Sequence, residues 1–122
     1  METNKESGQV EIVGPYGRLY LYTSHNKEDL VKQVHETLSL HKRWDDPDYL
    51  ARMMFCRMVP LESWKEEKGY GIGTQLYADI ELLVTLNTKN KVITIQVTSD
   101  LRKSYSLSFS DFVESFYKLA EI

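Results

Sequence analysis

The chain has a single cysteine, three prolines and six glycines in 122 residues, and no apolar stretch long enough to cross a bilayer. Each shortage excludes something. Cys56 alone cannot close an internal disulfide, and the N-terminus shows no charged-then-apolar leader, so a reducing cytoplasm is the expected compartment. The best apolar run, Ile80 to Leu86, is interrupted by Glu81 and Thr85 and falls short of the roughly 20 residues a spanning helix needs, so no membrane partner is expected. Charge of one sign is also missing. Fifteen Lys and Arg against 18 Asp and Glu leave a net −3, and the two signs are interspersed. That pattern offers neither the basic face that neutralises duplex nucleic acid nor the acidic runs of a DNA mimic.

What is present is the composition of a folded chain, with 42% apolar and 11% aromatic residues, and a length suited to one hydrophobic core. Residues 1–8 are polar and without periodicity and read as a flexible leader, which leaves 9–122 as a single domain. Gln9 to Val13 and Arg18 to Thr23 are β-rich and flank Gly14-Pro15-Tyr16-Gly17, the composition of a tight reversal. Asn26, with Asp29 three residues on, can cap a helix whose apolar stripe is Leu30, Val31, Val34 and Leu38, running to about Leu40. Asp45 or Asp46 caps a second helix, with Pro47 in its first turn, Leu50, Met53, Met54 and Met58 on its inner face, and Pro60 as its stop.

Leu61 to Gln75 holds Trp64 and Gly69-Tyr70-Gly71-Ile72-Gly73 and reads as a long ordered loop. Asp79 to Leu86 and Lys91 to Thr98 alternate around Asn87-Thr88-Lys89-Asn90 as a hairpin, and Tyr105 to Leu107 can extend the sheet. A last helix, capped at Ser108 and Asp111, carries the stripe Phe109, Phe112, Val113, Phe116, Ala120. The expected fold is α+β: an antiparallel sheet of about five strands with three helices mainly on one face, in the order ββααβββα.

Few residues announce chemistry. The glycine-rich segment lacks the Lys-Ser or Lys-Thr of a phosphate loop and the flanking strand and helix of a dinucleotide fingerprint, so it is either a structural turn or a ligand-facing loop. His25, His35, His41 and Cys56 have no metal-motif spacing, so neither metal nor cofactor is expected. Cys56, beside Phe55 on an apolar helix, reads as buried filler. Arg43-Trp44-Asp45-Asp46-Pro47-Asp48 is the densest polar-aromatic cluster. It is either a helix start, with Trp44 as a staple, or a polar pocket formed by Asp45 and Asp46 with Arg52, Arg57 and His25. Arg52 and Arg57 are five apart, about 140° around a helix, and so point to different sides. Eight tyrosines suit sheet packing, and also interfaces and base stacking.

Three segments, Leu19 to His25, Arg43 to Arg52 and Gly69 to Ile72, resemble a family of small phage, prophage and bacterial proteins to which no activity is assigned. The resemblance covers about 100 residues, most specifically at Arg43-Trp44-Asp45-Asp46-Pro47-Asp48-Tyr49-Leu50-Ala51-Arg52. It implies an accessory or host-interaction factor in the host cytoplasm, such as an inhibitor or a sponge for a signalling nucleotide in bacterial defence.

The expected function is therefore binding rather than catalysis. On the first reading, a homo-oligomer holds a small anionic ligand such as a nucleotide, with Arg52 and Arg57 on phosphate, Tyr70 or Trp44 stacking, and the backbone around Gly71 approaching closely. On the second, an exposed aromatic patch of Trp64, Tyr16 and Tyr77 binds a host protein. On the third, His25 with Asp45 or Asp46 forms a hydrolase site.

Overall fold

The computed structural model describes the backbone of residues 4–15, 17–23, 27–58, 70–77 and 80–120. The expected positions Tyr16, His25, Asn26, Pro60 and Trp64, and the side chains of Asp29, Met58, Tyr70, Phe116 and Ala120, lie outside what is described. The elements are β1 (Asn4–Gly14), β2 (Gly17–Thr23), α1 (Lys27–Leu38), α2 (Pro47–Met58), β3 (Tyr70–Gly73), β4 (Ile80–Asn87), β5 (Val92–Val97), a short 3₁₀ turn (Leu101–Lys103), β6 (Tyr105–Ser108) and α3 (Phe109–Ala120).

The fold is α+β, as expected, but the sheet has six strands in the order β3-β2-β1-β4-β5-β6 and is mixed rather than antiparallel. β1 pairs antiparallel with β2 on one side and parallel with β4 on the other, with Val10 opposite Val84 and Ile12 opposite Leu86. The two helices between β2 and β3 give the chain the length to return in the same direction as β1, which a hairpin cannot do. Thr88 closes the end of this parallel pair, its backbone N–H and Oγ1 both donating to the Val13 carbonyl, at 3.1 and 2.7 Å.

Two further expectations are corrected. Tyr70–Gly73, read as loop, is a strand at the sheet edge, pairing Tyr70 with Thr23 and Gly73 with Tyr20. Backbone hydrogen bonding to β2 suffices there, since the ladder needs no side chains and sequence periodicity cannot report it. β1 begins at Asn4, inside the expected leader, where Asn4 pairs with Ile80 across a register shift from the pairing that starts at Gly8 opposite Leu82.

Strand alternation puts Val10, Ile12, Leu21, Leu82, Val84, Leu86, Ile93 and Ile95 on one face, where they meet Leu30, Val34 and Leu38 of α1, Leu50, Ala51 and Met54 of α2, and Phe109 and Phe112 of α3. Each such aliphatic or aromatic side chain contributes about 1.5–3 kcal/mol when fully buried. Leu30, Val34, Leu38, Leu50, Met54, Phe109 and Phe112 are core positions the spacing predicts, whereas on α2 Ala51 rather than Met53 joins them. Ser108 caps α3, its Oγ accepting from the Asp111 N–H at 3.0 Å.

The opposite face of β1 is unusual in being polar and buried: Ser7, Gln9 and Glu11 are almost wholly enclosed. Polar groups this deeply enclosed need partners. Gln9 Nε2 donates to the Gln75 carbonyl at 2.9 Å while its Oε1 accepts from the Tyr77 N–H at 2.8 Å. Those two bonds hold the segment after β3 against the sheet, where Tyr77 meets Tyr22 edge-on at 5.3 Å. Glu11 accepts from the Tyr20 hydroxyl at 2.6 Å, from Arg18 Nη1 at 3.1 Å and from Thr85 Oγ1 at 3.2 Å.

Candidate cleft between the hairpin and the helix connection

The connection from α1 to α2 begins as α1 unwinds: the Ser39 N–H donates to the His35 carbonyl and the His41 N–H to the Leu38 carbonyl. His41 and Arg43 then both adopt the left-handed conformation, each with φ +52°. For residues with a side chain this costs on the order of 1–3 kcal/mol each, so the surroundings must hold them there. Trp44 supplies much of that restraint. Its Nε1 donates to the Leu38 carbonyl at 3.0 Å, and its ring stacks on His41 at 5.1 Å and meets Phe109 of α3 edge-on at 5.7 Å.

Asp46 follows as the cap of α2. Its Oδ1 accepts from the Tyr49 N–H at 3.1 Å, its carbonyl accepts from the Leu50 N–H at 3.1 Å, and Pro47 occupies the first turn, where no N–H is needed. Pro47 also fixes where α2 begins in space. Its ring lies so close to Gly14 that a Cβ there would sit 2.6 Å from Pro47 Cγ. Only glycine permits this approach of the β1–β2 hairpin to the start of α2.

Between the two lies a cleft of about 610 Å³, within the range of small-molecule sites, about 300–1,000 Å³. One wall comes from the hairpin, with Ile12, Pro15, Gly17, Arg18 and Leu19, and the other from the connection, with Arg43, Asp45, Asp46, Pro47 and Asp48. Arg43 carries its guanidinium 5.0 Å above the Tyr49 ring, a cation–π contact that orients the group without using its N–H donors. The Arg18 guanidinium turns to Glu11, whose hydrogen bond and charge raise its already high pKa. The hydrogen bond to Glu11, then burial, also raises the Tyr20 phenol above its usual range.

Of the residues expected to form a site, Asp45 and Asp46 lie at this cleft, His25 lies outside the described residues, and the other described ones do not line it. Trp44 is turned to the interior by Leu38 and Phe109. Arg52 is exposed on α2, and Arg57, nearly three turns from Pro47, pairs with Glu36 of α1 at 3.5 Å. Tyr70 and Gly71 stand opposite Thr23 and Tyr22, roughly 13–17 Å along β2 from Arg18 at the strand rise per residue. Cys56 is exposed rather than buried, because Leu50, Ala51 and Met54 already make the face of α2 that meets the core. Among the described residues no three His, Cys, Asp or Glu are placed to hold a metal ion.

Sequence reasoning had no sign of the hairpin half of the cleft. The density of charge over Arg43 to Asp48 was a usable signal for the other half, whereas Ile12, Arg18 and Leu19 arrive only through the Gly14–Pro47 contact.

A smaller notch of about 60 Å³ lies by β3, lined by Gln9, Tyr20, Tyr22, Ile72, Gly73, Gln75 and Tyr77. Ile72, Leu76 and Tyr77 are exposed beside it. No helix among the described residues is long and apolar enough to cross a membrane. No family model, no curated protein and no solved structure matches the chain.

Proposed function

We propose that the protein is a non-catalytic binding protein that sequesters a small polar ligand in the cleft between the hairpin and the α1–α2 connection. A signalling nucleotide held by a phage- or prophage-type accessory protein is the ligand and setting that the sequence resemblance favours. The observation that carries the reading is the lining itself. Arg43 shares one wall with Asp45, Asp46 and Asp48, beside apolar Ile12, Leu19 and Pro47, yet among the described residues no ion pair joins them. Charges of both signs left unpaired with one another in a cavity of ligand size are available to a dipolar guest. Among the described residues no His or Cys lines the cleft, and holding a ligand unchanged asks for neither.

The test is a thermal-shift and calorimetric screen against nucleoside phosphates, cyclic dinucleotides and cyclic ADP-ribose isomers, with light scattering for the oligomer. Sequestration predicts saturable binding, about 2.7 kcal/mol of added stability at a hundred times the dissociation constant, and ligand recovered chemically unchanged. Absence of any shift, or conversion of the ligand, rules the reading out.

A second reading rests on Ile72, Leu76 and Tyr77, exposed together next to the edge strand β3. It makes the protein an adaptor for a host protein. Such a complex is lost in Ile72→Lys and unaffected by Asp45→Asn, the opposite of what the cleft predicts.

A further inference from the structure

The two arginines of the cleft are not equivalent, and the difference bears on what the cleft receives. Arg18 is committed elsewhere: its Nη1 is held by Glu11, itself buried and tied to Tyr20 and Thr85. Arg43 is held differently. Its guanidinium lies over Tyr49, and among the described residues it makes no hydrogen bond or ion pair. A guanidinium stacked by its face keeps a planar edge of N–H donors, the geometry that grips a carboxylate or phosphate in bidentate fashion. Its backbone is held at φ +52° by the Asp46 N–H donating to its carbonyl at 3.0 Å and by the Trp44 anchor next to it. A conformation this unfavourable, kept by its neighbours, fixes where the side chain leaves the chain.

The acids set the other half of the requirement. Asp46 uses Oδ1 to cap α2, while Asp45 and Asp48 are exposed at the cleft and paired with no described cation. Because carboxylates outnumber the free guanidinium, a bare anion is opposed there by like charge. A guest that also brings N–H or O–H donors turns the same carboxylates into acceptors.

We propose that Arg43 is the oxyanion-binding residue of the cleft and that its ligand joins an oxyanion to hydrogen-bond donors accepted by Asp45 and Asp48. The assignment rests on the cleft being the binding site, and it replaces Arg52 and Arg57 as the anion contacts. A phosphate beside ribose hydroxyls and a carboxylate beside an ammonium both satisfy it.

The experiment is an NMR titration that follows the arginine Nε–Hε signals and the backbone amides, with adenosine 5′-monophosphate, β-alanine, adenosine and inorganic phosphate as probes. Adenosine 5′-monophosphate or β-alanine is expected to shift the Arg43 Nε–Hε signal together with the Asp45 and Asp48 amides, saturably and more tightly than adenosine or inorganic phosphate. Which of the two does so separates phosphate from carboxylate. Arg43→Gln is expected to weaken that probe about 10- to 100-fold, the range for hydrogen bonds to charged groups. Arg43→Lys, which keeps the charge without the planar edge, falls between, and Arg18→Gln changes little.

Amides distant from the loop report whether each variant is folded. A probe that saturates the cleft amides with equal affinity in Arg43→Gln overturns this assignment and leaves the cleft reading standing. No response of the cleft amides to any probe overturns both.

Discussion

Replacing Gly14 by alanine puts the docking of hairpin on helix to its most direct test. The added Cβ would lie 2.6 Å from Pro47 Cγ and 3.2 Å from Pro47 Cβ. A proline ring cannot swing aside as the end of a flexible side chain can, so the hairpin or the start of α2 must move. Overpacking of this kind costs typically about 1–3 kcal/mol. Against it stands the reduced freedom of the unfolded chain, which favours alanine by about 0.4–1 kcal/mol where the backbone is compatible. Gly14 is not among the residues with positive φ, so that gain applies.

The clash outweighs the gain over nearly all of these two ranges, for a net loss of up to about 2.6 kcal/mol. For a chain of this length that lowers the melting temperature by up to roughly 10 °C. Native-state hydrogen exchange locates the damage: the Tyr49 and Leu50 amides, which donate to Asp46 at the start of α2, should exchange faster relative to the core. Gly73→Ala is the control, since a Cβ there meets nothing within 4 Å. Gly17→Ala meets nothing either, but its φ of +149° penalises any side chain through the backbone. A Gly14→Ala protein that melts at or above the wild-type temperature, with unchanged exchange at Tyr49 and Leu50, refutes the argument that this contact sets the cleft.

Other outcomes follow from groups already described. The folded state holds the Tyr20 proton more tightly than the unfolded chain, whose phenol titrates near 10. That contribution is complete below about pH 10 and is lost as pH rises through the raised value; Tyr20→Phe should flatten the alkaline fall in stability, followed by denaturant midpoint against pH. Trp44→Phe removes the bond to the Leu38 carbonyl and should cost about 1 kcal/mol, whereas Trp44→Ala also empties the contact with Phe109 and should cost about 3–5 kcal/mol by urea unfolding. Phe112→Ala, in the fully buried layer between α3 and the sheet, belongs in that upper range too. Arg52→Ala, exposed on α2, should fall within about 0.5 kcal/mol of wild type.

Local signals were readable wherever the structure is local. Asp46 and Pro47 mark the start of α2, Ser108 and Asp111 that of α3, and the alternation around Asn87 to Asn90 marks the β4–β5 hairpin, because caps and turns act within a few residues. The β1–β4 pairing left no such trace, since two helices and two strands intervene in the chain between Val10 and Val84. β3 was hidden for the opposite reason, two of its four residues being glycines with no side chain to alternate. At the site, the crowding of Arg43 to Asp48 was visible, but its meaning depended on the partner surface. Trp44 could equally have faced a ligand; Leu38 and Phe109 decide that it faces inward.

The place of β1 in the sheet also governs the order in which the molecule can be completed. As the chain leaves a ribosome, the β1–β2 hairpin emerges early, with one edge of β1 left without its neighbour. That neighbour, β4, lies 74 residues further on, as Val10 opposite Val84 records. At about 5–20 residues per second the wait is on the order of 4–15 s, during which the hairpin presents the open, apolar strand edge that invites pairing with other chains. Ser7, Gln9 and Glu11, whose polar side chains become enclosed in the finished sheet, keep one face of that waiting strand hydrated, so the same residues serve the nascent chain and the folded one in different ways.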